Sequence, residues 1–240
     1  MQWIDAANIP KAPLRVWSST NGKLIVVVVA LLTGAVADVY GGLIGQMAAS
    51  AVMWCLALSL MRASPPDWRL ALWACMIWAT FGEIVLSLTW GLYAYRLGNI
   101  PFFVPPGHVL LFYVGMVLAP RVPRCLVIAV VLCAIGYAAV TWMTATDTLS
   151  MPLILVFFLC MIRPKDRQLY ALMFVISLLV ELYGTWLGNW SWRQDVRWTS
   201  LTAANPPIAA GAFYCTLDLL IGLTVRKLAK RILAGAPASV

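Results

Sequence analysis

LIVVVVALLTGAVADVY, residues 24–40, runs through seventeen positions with a single charged residue, Asp38. A helix crosses a bilayer with roughly 20 apolar residues. This stretch begins after Lys23 and ends at the glycine pair Gly41-Gly42. Seven further segments follow the same pattern: Leu43–Met61, Leu70–Tyr93, Gly107–Ala119, Cys125–Met143, Met151–Ile162, Gln168–Gly188 and Pro207–Val225. The fourth and sixth are short. They are expected to tilt, to pack inside the bundle, or to be extended by neighbours such as Phe102–Val104. The connections are polar or proline-marked: Ser64-Pro65-Pro66-Asp67, Arg121-Val122-Pro123-Arg124 and Arg163-Pro164-Lys165-Asp166-Arg167. The expected fold is therefore an all-α integral membrane protein of about eight transmembrane helices over residues 24–225. An interfacial segment, 1–23, precedes it, and a basic tail, 226–240, follows.

Composition excludes the soluble alternative. Of the 240 residues 62% are hydrophobic and 11% charged, against roughly 25% charged in a soluble domain. One soluble core of this size cannot hide so much apolar surface. The net charge of +8 does not point to nucleic acid, because the basic residues stand singly or in small groups between apolar runs. The six cysteines all sit in such runs and form no C-x-x-C pair, so neither zinc nor a disulfide framework is indicated. A lone histidine provides no haem ligand pair, and no P-loop glycine motif is present. No cofactor or metal is expected. Residues 1–23 are too polar and proline-marked for a signal peptide, while Trp3, Ile4, Val16 and Trp17 suit a segment lying along the membrane surface.

Basic residues orient the helices. With eight crossings and a cytoplasmic N-terminus, the inner segments carry Lys11, Arg15, Lys23, Arg62, Arg69, Arg121, Arg124, Arg163, Lys165, Arg167, Arg226, Lys227, Lys230 and Arg231. Only Arg96, Arg193 and Arg197 fall outside, so 14 of the 17 basic residues are cytoplasmic. A multi-pass protein of the cell membrane with both termini cytoplasmic is expected.

The chain also reads as two parallel four-helix repeats, 24–119 and 125–225. Glu83 precedes Gly91-Leu-Tyr93-Ala-Tyr95, then Pro105-Pro106, then Phe112-Tyr113. Glu181 precedes Gly188-Asn-Trp190-Ser-Trp192, then Pro206-Pro207, then Phe213-Tyr214. The register has a second option, because Leu97-Gly98-Asn99 echoes Leu187-Gly188-Asn189.

Four acidic residues lie within spanning segments: Asp38, Glu83, Glu181 and Asp218. Ionisable groups there are costly unless they meet a cavity or a partner. Asp38 suits the outer interface beside Tyr40; Glu83 and Glu181 suit helix-to-helix hydrogen bonds; Asp218 suits a contact with Arg96 or another polar group. His108, after Pro-Pro-Gly, suits a helix start at headgroup depth. The Trp and Tyr residues suit an aromatic belt. The functional reading rests on convergence. Carboxyl groups in apolar surroundings can act as general acids, and aromatic faces can stabilise a carbocation. The candidate catalytic residues are Glu83, Glu181 and Asp218. The candidate substrate-binding residues are Tyr93, Tyr95, Arg96, Asn99, His108, Trp190, Trp192 and Asn205.

Glu181-Leu-Tyr-Gly184-Thr185-Trp-Leu-Gly188-Asn-Trp190-Ser-Trp192 resembles the E-x-x-G-T-x-x-G-x-(aromatic)-x-(aromatic) stretch of the membrane carotenoid hydratases. The repeated layout is similar to that of the membrane lycopene cyclases and, more loosely, of the small membrane terpene cyclases. The resemblance covers under half the chain. It implies Glu181 as an acid, with Gly184, Thr185 and Gly188 shaping the site. Lycopene cyclases carry Pro-x-Glu-Glu after the aromatic loop. Here those places read Pro105-Pro106-Gly107-His108 and Pro206-Pro207-Ile208-Ala209, so cyclase activity of that kind is not expected. The first expectation is acid catalysis on an isoprenoid or other long apolar lipid near the outer leaflet, with membrane lipids as partners. A small-solute or proton-coupled transporter and a non-catalytic assembly subunit are the alternatives.

Overall fold

The computed structural model describes residues 20–235. Trp3, Ile4, Lys11, Arg15, Val16 and Trp17, which carry the interfacial reading of the N-terminal segment, lie outside the described residues. So do residues 236–240 of the basic tail and the side chains of Lys230 and Arg231.

The opening helix, α1 (Thr20–Ala63), covers two of the expected segments and breaks between them at Gly42, whose φ of 57° and ψ of −141° lie outside the helical region. A left-handed φ is open to glycine at little cost. The break reverses the chain. A Cβ on Gly34 would stand 2.8 Å from the Met53 side chain, and one on Gly45 only 1.9 Å from the Ala37 carbonyl oxygen. Residues so far apart in one straight helix cannot meet, so α1 is a hairpin of two arms.

Helix α2 (Pro66–Glu83) opens with Pro66 and Asp67, which suit a first helical turn. It continues without interruption as a π-helical stretch, Ile84–Trp90, and stops at Gly91 with φ 69°. Strand β1 (Tyr93–Tyr95) follows. The expected third helix ran to Tyr93; the turn at Gly91 ends it earlier and sends Tyr93 into the strand. Next come α3 (Val104–Leu118), with prolines in its first turn, α4 (Arg124–Met143) and α5 (Ser150–Met161). Helix α6 (Arg167–Leu187) ends at Gly188 with φ 85°. Strand β2 (Trp190–Trp192) and α7 (Gly211–Gly235) complete the described chain. The structure is thus helical with a small two-stranded ribbon, where an all-α fold was expected.

Four helices close a ring. Helix α2 packs on α3 and α7, and α6 packs on the same two. The α1 hairpin leans on α3, and α5 takes the corresponding place against α7. Close approaches set these contacts: a Cβ on Gly115 would lie 2.2 Å from the Met173 sulfur, and one on Gly211 2.5 Å from the Phe174 carbonyl oxygen. Five helices are long and apolar enough to cross a membrane, namely α1, α2 with its extension, α4, α6 and α7. The outward faces of α1 and α4 show Ile25, Ile44, Leu132 and Met143 uncovered. Contiguous apolar surface of that extent suits lipid rather than water. Helix α3, with 15 residues, is buried over most of its length, as expected for a short segment inside the bundle.

Candidate functional site

The site is built where the ribbon caps the ring of helices. Strands β1 and β2 pair antiparallel, with Tyr93 opposite Trp192, Ala94 opposite Ser191 and Tyr95 opposite Trp190. The hydrogen bonds beside the ribbon are reciprocal. The Arg96 N–H donates to the Asn189 carbonyl at 2.9 Å, and the Arg193 N–H donates to the Leu92 carbonyl at 2.8 Å. Exchanging residues 92–96 with 189–193 leaves this pattern unchanged, so the ribbon has local two-fold symmetry.

Each strand serves the carboxylate of the helix before it. Tyr93 and Tyr95 donate their hydroxyls to Glu83 Oε2 at 3.0 and 2.7 Å. Trp190 and Trp192 donate their indole N–H groups to Glu181 Oε2 at 2.8 and 3.0 Å. The offsets differ by one residue, because Gly91 lies one place further from Glu83 than Gly188 does from Glu181. The π-helical stretch Ile84–Trp90 absorbs that residue, since π bonding widens the turn by one position. On α6 the corresponding requirement is space. A Cβ on Gly184 would lie 2.0 Å from the Trp190 ring, so only glycine lets the indole lie across the helix to reach Glu181.

The second oxygen of each carboxyl has different company. Glu181 Oε1 accepts the Tyr214 hydroxyl at 3.1 Å. Glu83 Oε1 faces His108 Nε2 at 3.9 Å. His108 Nδ1 lies 3.0 Å from the Val104 carbonyl. A carbonyl only accepts, so Nδ1 carries the proton, and a neutral ring presents its lone pair on Nε2 toward Glu83. The His108 ring stacks on Tyr214, with centroids 5.1 Å apart and planes at 14°. Histidine and tyrosine therefore join the two carboxyls into one chain of contacts. Burial, reinforced by Glu83, pushes the Tyr93 and Tyr95 hydroxyls well above the usual phenol range, so they remain protonated.

Glu83 and Glu181 face a cavity of about 180 Å³, whose lining combines Tyr93, Tyr95, His108, Trp190 and Tyr214 with the aliphatic Leu31, Leu32, Val104, Leu179 and Val180. A second cavity of about 60 Å³ lies toward α2 and α7, with Trp78, Trp192 and Phe213 in its lining. Glu83, Tyr93, His108, Glu181 and Tyr214 line both cavities.

Not every expected site residue comes here. Asp218 faces neither cavity. It is 1% exposed, and neither of its oxygens has a hydrogen-bond partner. It stands within electrostatic reach of Cys75, Cys160, Tyr170 and Cys215, one turn along α7 from Tyr214 and away from the ribbon. Arg96 is not its partner. Arg96 pairs with Asp38 at 3.5 Å and also bonds the Asp38 carbonyl.

Asp38 is the centre of a separate polar clamp. It accepts from Gln46 at 2.8 Å and from Asn189 at 2.7 Å, and Asn99 donates to Gln46 at 2.9 Å. The clamp ties the α1 hairpin to the ribbon, so Arg96 and Asn99 act on architecture and do not line the cavity. Asn205 also supports the ribbon, accepting the Trp192 backbone N–H at 2.9 Å.

Tyr214, Gln46 and Asn189 were not among the expected site residues. Tyr214 was visible as part of the repeated Phe-Tyr pair; Gln46 had no signal beyond being polar in an apolar run. Asp147 likewise went unmarked. It is fully buried and accepts from the Ser150 hydroxyl at 2.5 Å and from the Ile208 N–H at 3.0 Å, holding the start of the α7 region in place. Comparison with known protein families, curated proteins and solved structures finds no match for this chain.

Proposed function

We propose that this chain is a membrane enzyme acting by acid catalysis on an isoprenoid or similar unsaturated apolar chain. The observation that carries this reading is the pair of buried carboxyls, Glu83 and Glu181, on one aromatic-walled cavity. Their hydrogen-bond partners divide the work. The side-chain hydrogen bonds at Glu181 are all accepted, two from indole N–H groups on Oε2 and one from the Tyr214 hydroxyl on Oε1, so in this reading it works as the carboxylate. A phenol can donate or accept, so the Tyr93 and Tyr95 hydroxyls tolerate Glu83 in either state. Glu83 is then the acid. Its Oε1 proton passes to a double bond, whose π electrons form the new C–H bond and leave a carbocation. The Glu181 carboxylate and the faces of Tyr95, Trp190 and Tyr214 stabilise that cation. It resolves by losing a neighbouring proton or by capturing a nucleophile. His108 Nε2 is placed to exchange a proton with Glu83.

The same reading takes the bundle as eight crossings, counting each α1 arm, in the cell membrane with both termini cytoplasmic and the site near the outer leaflet. The charge split supports it, because among the described residues Arg96, Arg193 and Arg197 are the basic ones at the ribbon end. It also takes the chain as two parallel repeats. The two-fold ribbon and the closed ring of α2, α3, α6 and α7 support that. So do Arg69 and Arg167, each fourteen positions before its glutamate, which donate Nε to the Met61 and Met161 carbonyls at 3.2 and 2.8 Å.

Two cavities that share one carboxylate pair in their linings also suit a proton-coupled transporter. Purified protein in lipid vesicles separates the readings. Glu83→Gln keeps shape but removes the titratable proton, and it should abolish formation of a modified lipid while preserving assembly. Unchanged lipid chemistry together with loss of proton-driven uptake would replace the enzyme by the transporter. No effect on either would leave a structural subunit.

A further inference from the structure

Building on the acid-catalysis reading, we propose that the larger cavity is filled sideways, from the bilayer, by the apolar end of a single-chain lipid entering between α1 and α6. Of the residues lining that cavity, only Leu32 (45%) and Leu179 (58%) are exposed; every other one is buried or half-buried. The exposed pair stands on α1 and α6, and Tyr183 bridges these helices by donating its hydroxyl to the Leu32 carbonyl at 3.3 Å. The rim is therefore aliphatic and lies on the lipid-facing side of the bundle.

The opposite end is closed. The ribbon covers it, and behind the ribbon the Asp38, Gln46, Asn99 and Asn189 side chains bond one another. These bonds hold a fixed arrangement, and the Asn189 Oδ1, which has no hydrogen-bond partner, is itself buried and out of reach of a ligand arriving from water.

Size narrows the ligand further. An apolar cavity of about 150 Å³ holds one benzene ring, so the 180 Å³ here takes a ring or a short branched end, not a whole chain. The remainder must trail out past Leu32 and Leu179. Carrying a charged headgroup through that rim is unfavourable, so the chain enters tail first. The substrate class is a long single-chain lipid with its reactive double bond close to the apolar terminus.

Photolabelling in phosphatidylcholine vesicles tests this. Two linear polyprenyl alcohols are compared, one with a diazirine at the apolar terminus and one with it beside the hydroxyl. The first should label peptides around residues 31–35 and 179–184, and the second should not. Leu32→Trp and Leu179→Trp should each cut this labelling severalfold in protein that still elutes as folded. Glu83→Gln should label as the wild type does while forming no product. Equal labelling by both probes in wild-type protein, or full labelling in both folded Trp variants, would overturn tail-first entry. Normal turnover by Glu83→Gln with labelling intact would instead remove the acid role and leave the entry route standing.

Discussion

At the residue scale the site depends on what two kinds of donor can do. Glu181 Oε2 is held by two indoles, which never accept, and Glu83 Oε2 by two phenols, which can. Tyr95→Phe removes the shorter of the two bonds to Glu83, 2.7 Å, and leaves a buried oxygen with one donor fewer. It should lower stability by about 1–2 kcal/mol, read as a lower melting temperature in detergent. Gly184 makes a sharper case, since its missing Cβ is what admits the Trp190 ring. Gly184→Ala should cost about 1–3 kcal/mol through overpacking and should remove the Trp190 bond to Glu181. A normal melting temperature with full turnover would show that the ring has room to move. Asp38 differs from both, because its two carboxylate oxygens each accept from an amide. Asp38→Asn turns an NH₂ toward a donor, so it should destabilise by about 1–3 kcal/mol. The loss should appear in melting temperature without changing which lipid product forms.

At the scale of elements, the π-helical stretch Ile84–Trp90 is the notable device. It lets one extra residue sit between Glu83 and Gly91 without turning the carboxyl away from the ribbon. Deleting one residue from 84–90 should therefore convert the stretch to regular α-helix and leave α2 folded. The same deletion in α6 between Glu181 and Leu187 should rotate Trp190 and Trp192 off their carboxylate. The α6 deletion should lose substantially more stability in thermal melts; equal losses would argue against the insertion. None of this was legible in the sequence, because seven residues of Ile, Val, Leu, Ser, Thr and Trp pack equally well at 3.6 or 4.4 residues per turn. The ribbon was hidden for a related reason. Tyr-Ala-Tyr and Trp-Ser-Trp are too short to show a strand period, and each becomes a strand only because the other lies beside it.

At the scale of the whole molecule, the arrangement of charge is what the proposed eight-crossing topology rests on. Reporter fusions after Arg62, Arg124, Arg167 and Val240 should report the cytoplasm, and those near Asn99 and Trp198 the outside. Two inverted reporters would break the eight-crossing topology, while leaving the geometry around Glu83 and Glu181 as it is.

The sequence by itself determined that the chain is mostly helical, with helices long and apolar enough to cross a membrane, because hydropathy and segment length act locally and need no partner. It marked the connections at Pro65-Pro66, Pro123 and Pro164 and the end of α6 at Gly188, whose backbone preferences are also local, but ran the third helix past Gly91 and began the fourth after Pro105-Pro106. It brought Glu83 and Glu181 forward as a matched pair through their similar surroundings. Only the tertiary structure decided which acids share a cavity. Asp218 looked equal to the other two, yet its place on α7 turns it toward Cys75 and Tyr170 and away from the ribbon. Only the tertiary structure decided that Arg96 and Asn99 clamp the α1 hairpin, since their partners Asp38 and Gln46 lie some fifty residues away in the chain. Side-chain direction depends on how helices rotate against one another, and that rotation follows from packing across the whole bundle at contacts such as Gly115 on Met173.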